Sequence, residues 1–266
     1  MNQHLKTIAQ ELNIQVGQAA ATAALLGDGA TVPFISRYRK EATGLLDETQ
    51  VTTIRDRLGQ LAELDKRRQA MIASLTERDL LSADLTAALQ AASSMTVLED
   101  IYLPFRPKRR TRSLIAREKG LEPLAQSLLA QKNSAVQVET FLNPAKEVLT
   151  RDDALAGARD IIAEWINEEA ATRAELRSLF AKKAVITSSV VKKHAEAGVK
   201  FRDYFNWQEE ATKAPSHRLL AMLRGENEKV LTLALRPPEE MALAILQRFY
   251  VKAQNEAGRQ VGLAVH

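Results

Sequence analysis

Residues 47–76, "DETQVTTIRDRLGQLAELDKRRQAMIASLT", decide the fold class. Asp47 stands three residues before Gln50, the spacing at which each side chain can receive the other's backbone N–H and so open a helix. Behind this cap Val51, Ile54, Leu58 and Leu61 recur at 3-4-3 spacing, which lines up one stripe along a helix. The spacing predicts one long helix over about 48–76. The stripe breaks at Asp65-Lys66-Arg67-Arg68, so the middle of that helix is expected to face solvent.

The rest of the chain reads the same way. Only 11 glycines, 8 prolines and 5% aromatic residues occur among 266, beside abundant Ala and Leu, the composition of an all-α protein. Short helices are predicted over 3–12 and 14–26. Thr31 caps another in which Phe34, Ile35 and Tyr38 share the apolar face, Ser36 and Lys40 lie opposite, and Arg37 and Arg39 flank the stripe. Further helices are predicted near 83–93, 97–102, 111–119, 123–131, 136–142, 152–169 and 171–182. Another runs from Ser216 to a stop at Gly225, and a last one over 239–256. Strands are expected at most near 184–191, where β-branched residues leave helix and strand both open, and near 230–235. The expected architecture is an elaborate multi-helical bundle. Ala116 four residues before Gly120 suggests a helix-turn-helix-like part within about 112–190.

The charge is mildly basic, +4 overall, but unevenly spread. In "LPFRPKRRTRS" (103–113) and its continuation, Arg106, Lys108, Arg109, Arg110, Arg112, Arg117 and Lys119 face a single acid, Glu118. That stretch carries +6, leaving −2 for all other residues. Local basicity is the footprint of polyanion binding, and guanidinium forks receive phosphate oxygens in pairs. The free N–H groups at the start of helix 111–119 would add positive potential. The nearby acids, Glu99, Asp100 and Glu118, are too few to balance seven cations. Arg37, Arg39 and Lys40 form a second, smaller basic group. Tyr102 and Phe105 are adjacent aromatics, read here as core.

Other chemistry finds no footing. There is no cysteine, so disulfides and thiolate-bound metal are excluded. Neither G-x-x-x-x-G-K-[ST] nor G-x-G-x-x-G occurs. The four histidines, His4, His194, His217 and His266, stand at no metal-ligand spacing. Asp152-Asp153 and Glu168-Glu169 fit helix ends better than acid–base catalysis. The expectation is a protein without enzymatic activity, cofactor or metal, cytoplasmic and monomeric. The final Gly262-Leu263-Ala264-Val265-His266 is apolar and uncapped, as a piece of a longer protein reads, with His266 either native or a tag residue.

"TVPFISRYRKEATGLLDE" (31–48), "LEDIYLPFRPKRRTRSLIAREKGLEPLA" (98–125), "KFRDYF" (200–205) and "PSHRLLAMLRGENE" (215–228) together resemble the N-terminal region of Tex, the bacterial transcription accessory protein family. The resemblance implies that residues 1–266 are the helical N-terminal region of a longer nucleic-acid-binding protein. Its RNase-H-like, helix-hairpin-helix and S1 domains would lie outside this chain. The function expected is sequence-nonspecific contact with RNA or DNA phosphates through 106–119, helped by Arg37, Arg39 and Lys40. The alternative is a scaffold that positions those further domains and docks on RNA polymerase or ribosome-associated proteins, with no membrane role.

Overall fold

Asp47 accepts the Gln50 N–H at 2.7 Å, and the Gln50 side chain accepts the Asp47 N–H at 3.0 Å, so the predicted cap opens a 30-residue helix, Glu48–Glu77. The structure is a computed structural model that describes residues 2–132, 136–196 and 198–266. It divides into two units, Met1–Arg106 and Pro107–His266. Among the described residues no helix is long and apolar enough to cross a membrane.

The first unit holds α1 (Asn2–Glu11), α2 (Val16–Gly27), α3 (Val32–Tyr38), α4 (Glu48–Glu77), α5 (Ala83–Ala91) and α6 (Met95–Tyr102), closed by a 3-10 turn at Leu103–Phe105. The long α4 is the common support, and each of the other five helices packs on it. Ile8, Ile35, Val51, Ile54, Met71, Leu75, Leu89 and Leu98 fill the core, with Tyr102 buried and Phe105 packed against them.

Two expectations are corrected here. The charged middle of α4 is not left to solvent. Arg68 donates to the carbonyls of Leu89 (2.9 Å) and Ala92 (2.8 Å), terminating the last turn of α5, while Asp65 holds Arg68 and His4 and Arg67 reaches Glu99 at 2.6 Å. Charged side chains thus replace the apolar stripe where α4 meets exposed helix-end carbonyls. In α3 the buried face is Val32, Ile35 and Ser36. Ser36 is admitted because its hydroxyl donates to the Val32 carbonyl at 3.0 Å, and Phe34 and Tyr38 are turned outward instead.

The second unit contains α7 (Arg112–Glu118), α8 (Glu122–Ala130), α9 (Arg151–Glu168), α10 (Ala170–Lys183), β1 (Val185–Val190), β2 (Asn206–Glu210), α11 (Ser216–Asn227), β3 (Leu231–Arg236), α12 (Glu239–Tyr250) and α13 (Glu256–Val265). Helices α7, α8, α9 and α13 enclose a core of Ala116, Leu121, Leu124, Leu128, Ile161, Ile162 and Val261. Between α7 and α8 the chain turns at Gly120, whose φ of 86° a residue with a side chain adopts only under strain. Ala116 is buried at that corner, and Gly157 of α9 leaves it room. Residues 133–135 of the 112–190 stretch lie outside the described residues.

Among the described residues the fold is helical save for one antiparallel sheet in the order β2-β1-β3. β1 and β3 fall where strands were expected. β2, "NWQEE", is additional: it has no β-branched residue, and its strand state comes from pairing with β1, Ser188 opposite Trp207. Over 136–142 only a 3-10 turn, Val138–Phe141, forms. Helix α11 runs through Gly225 to Asn227, since that glycine serves the close approach of Leu231 and Phe201 rather than a stop. The helix expected over 239–256 breaks after Tyr250. There the Gln131 side chain receives the N–H groups of Lys252 (2.8 Å) and Ala253 (3.0 Å), and Asn255 caps a new helix by accepting from Gly258 N–H at 2.9 Å.

Candidate nucleic-acid interface

The basic segment is not uniform once folded. Thr111 caps α7 by accepting the Leu114 N–H at 3.1 Å, and the same end of the helix meets Glu164 of α9. The Ser113 hydroxyl donates to Glu164 Oε2 at 2.8 Å, the Thr111 hydroxyl to Oε1 at 3.4 Å, and Arg117 Nη1 to Oε2 at 2.6 Å. Lys108 Nζ lies 3.3 Å from the same carboxylate and also pairs with Glu168. Only 12% of the Glu164 side chain is exposed. Burial by itself would push its carboxyl up. The Ser113 and Arg117 hydrogen bonds and the charge of Lys108 outweigh that and hold it below the usual carboxylate range. The place that the sequence offers to a phosphate at the start of this helix is therefore served by an internal carboxylate.

The remaining arginines, Arg106, Arg109, Arg110 and Arg112, are exposed. Arg109 is exposed and has no ion pair among the described residues. Arg110 is 71% exposed and, among the described residues, pairs only with Glu118, at 3.2 Å. Arg112 is 87% exposed, its Nε 3.8 Å from Asp160. Lys119 donates to the Glu147 carbonyl at 3.2 Å and approaches that residue's carboxylate at 3.6 Å, while Arg117 also reaches Glu122 at 3.4 Å. Arg106 belongs to the first unit, where it is exposed and without an ion pair among the described residues. Arg37, Arg39 and Lys40, also in the first unit, are exposed. The Arg39 guanidinium sits 5.7 Å from the centre of the Phe34 ring.

The local charge balance differs from the sequence expectation. Glu99 is engaged by Arg67, yet the basic segment of the second unit meets Glu118, Glu122, Glu147, Asp160, Glu164 and Glu168. Most of its surplus is neutralised by acids distant in sequence. Asp160, Glu164 and Glu168 fall at i, i+4 and i+8 of α9, one acidic stripe along a single helix face. That periodicity is the sequence signal that points to them, and treating Glu168 as a helix-end residue passes it over.

The chain matches the model described as Tex-like protein N-terminal domain over residues 2–76 and the one described as Tex central region-like over residues 130–262. It is 45% identical over 233 residues to Transcriptional accessory protein Tex of Neisseria gonorrhoeae, covering 87% of this chain and 30% of that protein. It is 46% identical over 244 residues to Protein YhgF of Escherichia coli (88% of this chain, 32% of that protein). It is 27% identical over 237 residues to human S1 RNA-binding domain-containing protein 1 (86% and 24%). The chain belongs to the Tex family. It spans about a third of the length of the bacterial relatives it matches.

Proposed function

We propose that this chain is a nucleic-acid-contacting helical module of a transcription accessory protein, a binding element rather than an enzyme. It meets RNA or DNA phosphates without reading sequence, through the outward arginines of its basic segment. The observation that carries this reading is the division of labour within that segment. Lys108 and Arg117 are tied to Glu164 and Glu168, whereas Arg109 has no carboxylate partner among the described residues and Arg110 and Arg112 hold theirs only at the surface. Exposed ion pairs contribute roughly 0–1 kcal/mol and exchange readily for a phosphate, which accepts two guanidinium N–H groups at once. Anchoring by the Glu164 network removes part of the ordering entropy that binding would otherwise cost. The names of the relatives, one a transcriptional accessory protein and one carrying an S1 RNA-binding domain, support the same direction.

The test is a titration of labelled RNA and DNA across salt with the 266-residue chain and an Arg106/Arg109/Arg110/Arg112→Gln variant. Every phosphate that the variant fails to neutralise should flatten the slope of log K against log salt by about 0.7 to 0.9. Identical slopes for the two proteins would remove this function and leave the scaffold reading in its place.

A further inference from the structure

Of the aromatic side chains in the first unit, Tyr102 and Phe105 are drawn into its core, while Phe34 and Tyr38 are not. Tyr38 is 73% exposed and Phe34 40%. Their rings lie side by side on α3, centroids 5.6 Å apart and planes tilted by 42°, and Arg39 covers Phe34. The backbone beneath them is fixed on both sides. Ile35 is fully buried, Leu45 N–H donates to the Lys40 carbonyl at 2.7 Å, and the Gln18 amide donates to the Gly44 carbonyl at 2.8 Å. Gly44, at φ 66°, lets the turn close against Gln18. Arg37 and Lys40, both exposed, flank Tyr38 and Arg39 in the chain, with one acid, Glu41, beside them.

We infer that this face is a stacking site for unpaired bases of single-stranded nucleic acid, separate from the phosphate contacts of the second unit and resting on the nucleic-acid reading above. The chemistry selects the occupant. An exposed ring offers a π-face that any base can cover, the adjacent cations meet the strand's phosphates, and a fixed platform loses little entropy on binding. Bases inside a duplex are already stacked on each other and cannot reach the rings, so the site discriminates strand state rather than sequence. Phe34 and Tyr38 are positioned for one or two bases, and Arg39 braces the first ring.

The experiment uses the full 266-residue chain as wild type, a Phe34→Ala/Tyr38→Ala variant and a Tyr38→Phe variant. Each is titrated with oligothymidine, oligouridine and duplex DNA across salt. Stacking predicts at least about a fivefold loss of single-strand affinity in the double variant, with the salt slope and duplex affinity unchanged and Tyr38→Phe close to wild type. Photo-crosslinking of a 5-iodouridine strand to the wild type should map to α3. Single-strand affinity left intact in the double variant overturns the inference, as does an equal loss on duplex. Loss of a captured protein partner with nucleic-acid affinity intact overturns it in favour of a protein-docking face. In each of these cases a flattened slope in the arginine variant would still uphold the phosphate reading. A wild type that binds no strand at all would remove both.

Discussion

Arg117 and Glu164 meet at 2.6 Å across the α7–α9 contact, and the same carboxylate oxygen receives the Ser113 hydroxyl. One acid thereby fixes both ends of a seven-residue helix. Replacing Glu164 with Ala takes the acceptor from three donors, Ser113, Thr111 and Arg117, and leaves Lys108 with Glu168 alone, so the second unit should lose about 2–3 kcal/mol. Glu164→Gln, which keeps an acceptor, should lose less. Asp160→Ala, whose arginine is almost wholly in water, should change stability by less than about 0.5 kcal/mol. Urea unfolding of the three variants checks the ranking, and equal midpoints for Glu164→Ala and Asp160→Ala would contradict it.

Acid should weaken this unit in a defined window. Burial pushes the Glu164 carboxyl up, but Ser113, Arg117 and Lys108 more than offset it and hold the group below its ordinary range in the folded chain. Glu256 is lowered to about 2 by hydrogen bonds from Arg259 and Gln260. In the unfolded chain both take up protons near pH ~4.3. The unfolded state therefore binds more protons as pH falls, and stability present above that pH is lost progressively toward the lower folded values. Stability measured from neutral pH down to about pH 2 should decline below about pH 4.5. Glu164→Gln should show a shallower decline, and parallel curves would exclude Glu164 as a contributor.

Binding and stability should separate along the basic segment. Arg110→Ala and Arg112→Ala alter surface pairs only and should shift stability by less than about 0.5 kcal/mol while weakening nucleic-acid affinity. Arg117→Ala leaves Glu164 and Glu122 each short of a cation and should cost about 1–3 kcal/mol of stability. Thermal melts alongside titrations read both quantities from one preparation. A variant set in which affinity tracks melting temperature would mean that the arginines act through folding alone.

What the sequence made legible was whatever depends on neighbours in the chain. The cap at Asp47, the long helix α4 and the turn at Gly120 all rest on spacings of three or four residues. What it hid depends on distant partners. The acids opposing the basic segment come from α9, dozens of residues away, so a count confined to Glu99, Asp100 and Glu118 overstated the surplus. The orientation of α3 turned on one self-satisfied serine, which let Ser36 inside and put Tyr38 outside. Strand β2 has Trp207 as its one β-favouring residue and exists through its register with β1.

The break between α12 and α13 rests on a similarly remote residue. Gln131, buried at the left-handed end of α8 with φ 48°, donates to the Tyr250 carbonyl at 2.6 Å while its Oε1 receives Lys252 and Ala253. Three main-chain groups that leave the helical ladder are satisfied by this one amide. Gln131→Leu keeps the volume but strands all three, so a loss of about 3 kcal/mol is expected. Gly258→Ala attacks the same joint from the other side, since a Cβ there would collide with the Ala253 carbonyl, a backbone atom with no freedom to move aside. Its cost should match or exceed that of Gln131→Leu. Hydrogen exchange is the discriminating measurement: both variants should speed exchange through 251–265 while α9 remains protected. Uniform acceleration across the whole second unit, or none at 251–265, would show that the amide does not hold the break in place.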